Sequence, residues 1–105
     1  MLGETGFARV AGVILRKTHY LAGELSRIAG VSLAFGEPVF NEFLLKVPVD
    51  VGALLRDLES HGIFGGLDGA FVGKPGHLLI AVTENKSRED LDTLIARVRA
   101  FVTKS

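Results

Sequence analysis

VSLAFGEPVFNEFLLKV, residues Val31 to Val47, reads as two β-strands joined by a turn. In the first part Val31, Leu33 and Phe35 alternate with Ser32 and Ala34, the period of a strand with one covered face. Gly36, Glu37 and Pro38 then supply turn residues. From Val39 the alternation resumes. Val39, Asn41, Phe43, Leu45 and Val47 fall on one face, and Phe40, Glu42, Leu44 and Lys46 on the other. Two strands with so short a connection predict an antiparallel pair.

Helical periodicity surrounds this pair. Phe7, Val10, Ala11, Ile14, Leu15, Leu21, Ala22, Leu25 and Ile28 recur at three- and four-residue steps, predicting a helix from about Thr5 to Ile28 that Gly30 ends. After Pro48, Asp50 is placed to cap a helix over 51–60, with Val51, Leu54, Leu55 and Leu58 inward, His61 at its negative end and Gly62 as its stop. Ile63 and Phe64 suit a short edge strand. HLLIAVT (77–83) is almost continuously apolar, which predicts a central strand covered on both faces. Ser87 and Asp90 have capping-box spacing before a last helix whose stripe is Leu91, Leu94, Ile95, Val98, Phe101 and Val102.

The order helix, strand, strand, helix, short strand, strand, helix predicts a single α+β domain over residues 1–105. It is a two-layer sandwich, a small, mainly antiparallel sheet with helices on one face. Phe40, Leu44 and part of 78–82 then lie on a face the helices do not cover. The chain is also apolar for its size. Of 105 residues, 48% are hydrophobic and the mean hydropathy is +0.35. A small domain has much surface for its volume, so such an excess points to apolar surface meeting a partner.

The totals exclude several functions. Lys plus Arg equal Asp plus Glu at 12 each, so no net field attracts nucleic acid or an anionic membrane. The absence of Cys removes disulfide and thiolate chemistry. No run reaches the roughly 20 apolar residues that span a bilayer. The first residues lack the basic-then-apolar layout of a signal peptide, so a cytoplasmic protein is expected.

Motifs for chemistry are equally sparse. The glycine-rich segment 61–85 fails as a phosphate loop. Gly73-Lys74 is followed by Pro75 rather than a hydroxyl residue, and Asp68 stands where the motif needs its first glycine. His19, His61 and His77 have no metal-ligand spacing, and no serine sits in a nucleophile elbow. No catalytic, cofactor-binding or metal-binding residue is therefore assigned. FNEF (40–43) stands apart, because Asn41 and Glu42 interrupt an apolar strand and each needs a partner or water. Either this is an edge strand, with Glu42 wet and Asn41 bonded to nearby backbone, or both residues meet a partner.

The segments with Ala11, Lys17, His19, Tyr20, Leu21 and Ala22, then FNEF (40–43), GIFGG (62–66), LLIAVTEN (78–85) and SREDLD (87–92), occur in an order and spacing that resemble the C-terminal region of glycine dehydrogenase (decarboxylating) subunit 1, the P-protein of the glycine cleavage system. The resemblance covers about residues 3 to 102. It implies the small C-terminal domain of fold-type I pyridoxal-phosphate enzymes, packed on a large α/β domain. The family reaction is oxidative decarboxylation of glycine with aminomethyl transfer to the lipoyl arm of the H-protein. The Schiff-base lysine belongs to subunit 2 in two-subunit members, so this chain alone is expected to hold no cofactor and to contribute contacts. Partner-facing candidates are Phe40, Asn41, Glu42, Leu44, Gly65 and Gly66. The expected partner is a P-protein large domain or subunit 2, or a further copy of the chain. A small ligand-binding regulatory module and a self-associating domain are the rival classes. Residues 67–76, the part least like the family, are expected to form a mobile loop.

Overall fold

A computed structural model describes residues 2–38 and 40–104, with the side chains of 2–8 outside the description. The chain runs through α1 (Leu2–Ser26), β1 (Ser32–Leu33), β2 (Glu42–Lys46), α2 (Val51–Ser60), β3 (Leu67–Asp68), a 3-10 turn (Gly69–Val72), β4 (His77–Ala81) and α3 (Arg88–Lys104). The strands form one antiparallel sheet in the order β1-β2-β4-β3. This is the predicted α+β sandwich. The expected inward roles of Phe7 and Val39 lie outside the described residues.

Register explains which side chains are covered. Phe43 pairs with Ile80 and Leu45 with Leu78, and all four are buried. They join Leu21 and Leu25 of α1, Leu54 and Leu58 of α2, and Leu94 and Val98 of α3 in one core. The intervening residues Glu42, Leu44, Lys46, His77, Leu79 and Ala81 are half-buried or exposed. All three helices thus bury their stripes against the same side of the sheet. The expectation that β4 is covered on both faces is corrected here. Its apolar run is continuous because the second face is apolar but bare among the described residues.

The helix boundaries follow local chemistry. Asp50 accepts a hydrogen bond from the Ala53 N–H (2.8 Å) at the start of α2. The far end closes as a Schellman motif: Ile63 N–H donates to Leu58 O, Gly62 N–H donates to Glu59 O, and Gly62 takes φ +73°. At α3 the capping box forms reciprocally, Ser87 N–H to Asp90 Oδ2 (2.9 Å) and Asp90 N–H to Ser87 Oγ (3.1 Å). These bonds hold the Asp90 carboxyl below the usual range, the Ser87 backbone contributing most. Helix α1 stops at Ser26, short of the expected Ile28, because the chain tightens into three-residue turns before Gly30 at φ +84°.

Other expectations are corrected. β1 shrinks to two residues, since Phe35 onward turns away from β2 after the bond from Ala34 N–H to Leu44 O. Phe35, expected on one face with Val31 and Leu33, leaves that row and is 64% exposed. Ile63 and Phe64 form no strand; the edge strand is Leu67–Asp68, beyond the Gly65–Gly66 turn. The segment 67–76, expected as a loop, carries this strand and a 3-10 turn that Asp68 caps at Ala70 N–H and Gly73 ends in the left-handed conformation. Among the described residues, no helix is long and apolar enough to cross a membrane.

One ion pair ties α2 to α3. Arg97 donates from Nε to Asp57 Oδ2 (2.8 Å) and from Nη2 to Asp57 Oδ1 (3.0 Å), a two-pronged geometry. The hydrogen bonds from the guanidinium hold the Asp57 carboxyl below the usual carboxylate range. A pKa lowered in the folded state gives stability that is present above the unfolded value, about 3.9, and lost as pH falls through the folded value. Asp57→Asn is therefore expected to lower the melting temperature at pH 7 and to leave it nearly unchanged near pH 2. Thermal unfolding followed by circular dichroism at both pH values checks this, and equal losses at both would contradict it.

Candidate interaction face

The uncovered side of the sheet has an apolar centre. Leu44 lies opposite Leu79, and Leu79 opposite Leu67, so three leucines run across β2, β4 and β3. Ala34 extends the row on the β1 side through its bond to Leu44. Polar groups border it, with Ser32, Lys46 and His77 at one end and Glu42 at the other.

A second bare surface adjoins the first. Val10, Ala11, Gly12, Ile14 and Leu15 of α1 line an open groove of about 550 Å³, closed on one side by Phe40 and Asn41. The core on α1 begins only at Thr18 and Leu21, so the apolar face of its earlier turns lacks a covering element among the described residues. Phe40 is 74% exposed and also borders a shallow depression with Phe35, Pro38 and Leu44. It stands at the corner where groove and sheet face meet.

FNEF folds this way for a simple reason. Alternation sends Phe43 inward, so Phe40 cannot share its side. Asn41 fixes the register: its Nδ2 donates to Val82 O (3.1 Å) while its own carbonyl accepts from Val82 N–H (2.7 Å). The ladder is thereby carried one pair past β2 and β4. Glu42 is exposed. Of the candidates, Phe40, Glu42 and Leu44 are thus brought to one side of the molecule. Gly65 and Gly66 lie at the opposite edge, facing inward. A Cβ on Gly65 would strike Leu58 Cδ1, and one on Gly66 would strike the Leu79 carbonyl. Sequence reasoning missed Val10, Phe64, Leu67, Phe71 and Val72 as exposed apolar residues. The available signal was large apolar residues inside Gly-rich segments, where no core period accounts for them.

Two polar side chains of α1 make their contacts within the molecule. Lys17 Nζ donates to the carbonyls of Glu84 (3.2 Å) and Lys86 (2.5 Å), pinning the β4–α3 turn. Tyr20 donates to Asp92 Oδ1 (2.5 Å), and the Arg88 guanidinium lies 3.9 Å over its ring. The bond to Asp92 raises the Tyr20 hydroxyl above its ordinary value. Each histidine faces a backbone carbonyl: His19 that of Pro38, His61 that of Asp57, His77 that of Pro75. Among the described residues, no three His, Asp or Glu side chains gather as metal ligands.

Pyridoxal phosphate does not fit these residues. Lys17 is engaged by two carbonyls, and Lys74 lies 5.6 Å over the Phe35 ring. Lys86 lines only a cleft of about 40 Å³ beside Gly66 and Asp90. Cofactor pockets are roughly 300–1,000 Å³. Lys46 and Lys104 are exposed at element ends.

No protein-family model matches the chain. In sequence it is similar to probable glycine dehydrogenase (decarboxylating) subunit 1 of Sorangium cellulosum, 42% identical over 104 residues, covering 96% of this chain and 23% of that protein. The corresponding protein of Desulfitobacterium hafniense is 41% identical over 97 residues, covering 90% and 22%, and that of Chlorobium limicola 37% over 101 residues, covering 96% and 23%. In structure it is similar to glycine decarboxylase (P-protein) of the glycine cleavage system in inhibitor-bound form. The TM-score is 0.76 at 30% identity, over 88% of this chain and 21% of that one. The chain thus spans about a fifth of the length of the curated relatives it matches.

Proposed function

We propose that this chain, which shares sequence and fold with about a fifth of glycine dehydrogenase (decarboxylating) subunit 1, serves as a docking domain of a glycine-decarboxylating P-protein. It would take part in glycine catabolism by the glycine cleavage system without supplying a reacting group of its own. The observation that carries this is the asymmetry of the match, nearly all of this chain against about a fifth of each relative. An apolar surface left bare by its own helices supports it, since larger exposed apolar patches mark interaction sites. The occupant is the remainder of a P-protein, either the rest of subunit 1 or subunit 2. Phe40, Leu44 and the α1 groove meet it, Asn41 holds Phe40 in place, and Glu42 marks the polar rim. Gly65 and Gly66 act from within, setting the turn that brings Leu67 beside Leu79. Pyridoxal phosphate belongs to that remainder, and the complex belongs in the cytoplasm.

Co-expression tests this. The chain is produced with the Sorangium cellulosum relative from which the matching fifth has been removed. A one-to-one complex in size-exclusion chromatography with light scattering is expected, as is glycine-dependent decarboxylation when subunit 2 is added to the pair and none by the chain alone. A chain that elutes by itself, or only as its own dimer, would overturn the proposal.

A further inference from the structure

The bare sheet face carries its charges at opposite ends of one strand. Glu42, Leu44 and Lys46 are alternate residues of β2 and share that face, with Leu44 midway between the two charges. Leu79 and Leu67 stand level with Leu44 on β4 and β3. A line across the strands through these three leucines therefore divides the face into halves of opposite charge, Glu42 on one side and Lys46 on the other. Both charged residues are exposed, and among the described residues neither forms an ion pair within the chain.

We propose that two copies of the chain close on each other through this face, as a two-fold dimer whose axis runs along the leucine row. Half a turn about that line lays each leucine on its own copy and reverses the strands, so Glu42 of each copy meets Lys46 of the other. A two-fold interface needs such self-complementarity, and stacked sheets pack about 10 Å apart with their strands roughly aligned. The other face-to-face two-fold, with its axis along the strands, places Glu42 opposite Ala81 and Lys46 opposite His77, and so gains no ion pair. The formal charge of zero leaves no net repulsion between the copies. Size limits the affinity. β2 and β4, five residues each, are about 17 Å long, and four strands span about 14 Å between their outer axes. That is well under the roughly 800 Å² per partner of a standard interface, so the dimer is a transient one. Lys74 Nζ lies 5.6 Å over the Phe35 ring, and both side chains are exposed, so they can turn outward as the faces close. Leu44 belongs to the docking face too, so the dimer and the complex with the rest of a P-protein exclude each other; the dimer itself does not rest on that reading.

Sedimentation equilibrium of the chain alone, from about 10 µM to about 1 mM, tests this over the affinity range of small interfaces. The average mass is expected to climb from 11.2 kDa toward twice that value and no further. Glu42→Lys and Lys46→Glu, each alone, turn both rim attractions into repulsions and should weaken association by about tenfold or more. An equimolar mixture of the two variants restores both opposite-charge contacts, as does the double reversal in one chain, so each should recover most of the wild-type mass. Circular dichroism checks that every variant is folded. A wild-type chain that stays monomeric to about 1 mM, a mass that grows past the dimer, unchanged association in either single variant, or no recovery in the mixture would overturn the proposal. A dimer of the chain alone together with failed co-purification would remove the docking proposal and leave the dimer standing.

Discussion

Gly66→Ala is expected to destabilise the fold by about 4 kcal/mol, the sum of two costs of roughly 1–3 kcal/mol each. The first is conformational. Gly66 has φ +127°, a region that side-chain-bearing residues rarely adopt. The second is steric. The new Cβ would land on the Leu79 carbonyl oxygen, with Ile80 Cα close behind, and this is backbone of the central strand that cannot step aside. Gly65→Ala provides the contrast. Its Cβ meets the far end of the Leu58 side chain, which can change rotamer, and the backbone there has no positive φ. A loss of about 1–2 kcal/mol is expected. In urea, at a slope of about 1.5 kcal/mol per M, Gly66→Ala should lower the midpoint by about 2–3 M and Gly65→Ala by about 1 M. Equal midpoints for the two variants would mean that the close approach to β4 does not govern this turn.

Phe40→Ser is expected to weaken association with the rest of a P-protein by about 30-fold or more, the loss of one interface anchor of about 2 kcal/mol. Because Phe40 is 74% exposed in the free chain, the substitution removes little that the fold needs. The melting temperature should stay within a degree or two, since exposed substitutions usually change stability by less than about 0.5 kcal/mol. Titration calorimetry against the co-expressed remainder measures the effect, with Lys104→Gln in the last turn of α3 as a control. Unchanged affinity in Phe40→Ser would remove Phe40 from the interface.

The legible part of the fold was the part written in periodicity and caps. The α2 boundaries, the Ser87–Asp90 box and the inward faces of β2 and α3 follow from spacing and short-range hydrogen bonds. What was not legible depended on what lies above a residue. Leu44 was expected on the bare face, but Leu79 sits in the continuous apolar run 77–83 and looks covered, yet the structure gives it no covering layer. Residues 67–76 looked like an open loop because Gly and Pro dominate them, yet Asp68 and Gly73 suffice to cap and close a 3-10 turn. The candidate surface was half legible. FNEF stood out because Asn41 breaks an apolar strand, but its partner, the Val82 carbonyl, lies 41 residues away, beyond any local pattern.

Both outer strands are two residues long, Ser32–Leu33 on one side and Leu67–Asp68 on the other. A bare apolar sheet face becomes hazardous when a long, flat rim of free N–H and C=O groups lets copies add strand by strand into fibres. Here each rim ends almost as soon as it starts, bounded on one side by the Gly36–Pro38 turn and on the other by Gly66 and the 3-10 turn. The domain can therefore offer a sticky face without offering a template, so unassembled copies should stay dissolved, or form small reversible clusters, rather than polymerise.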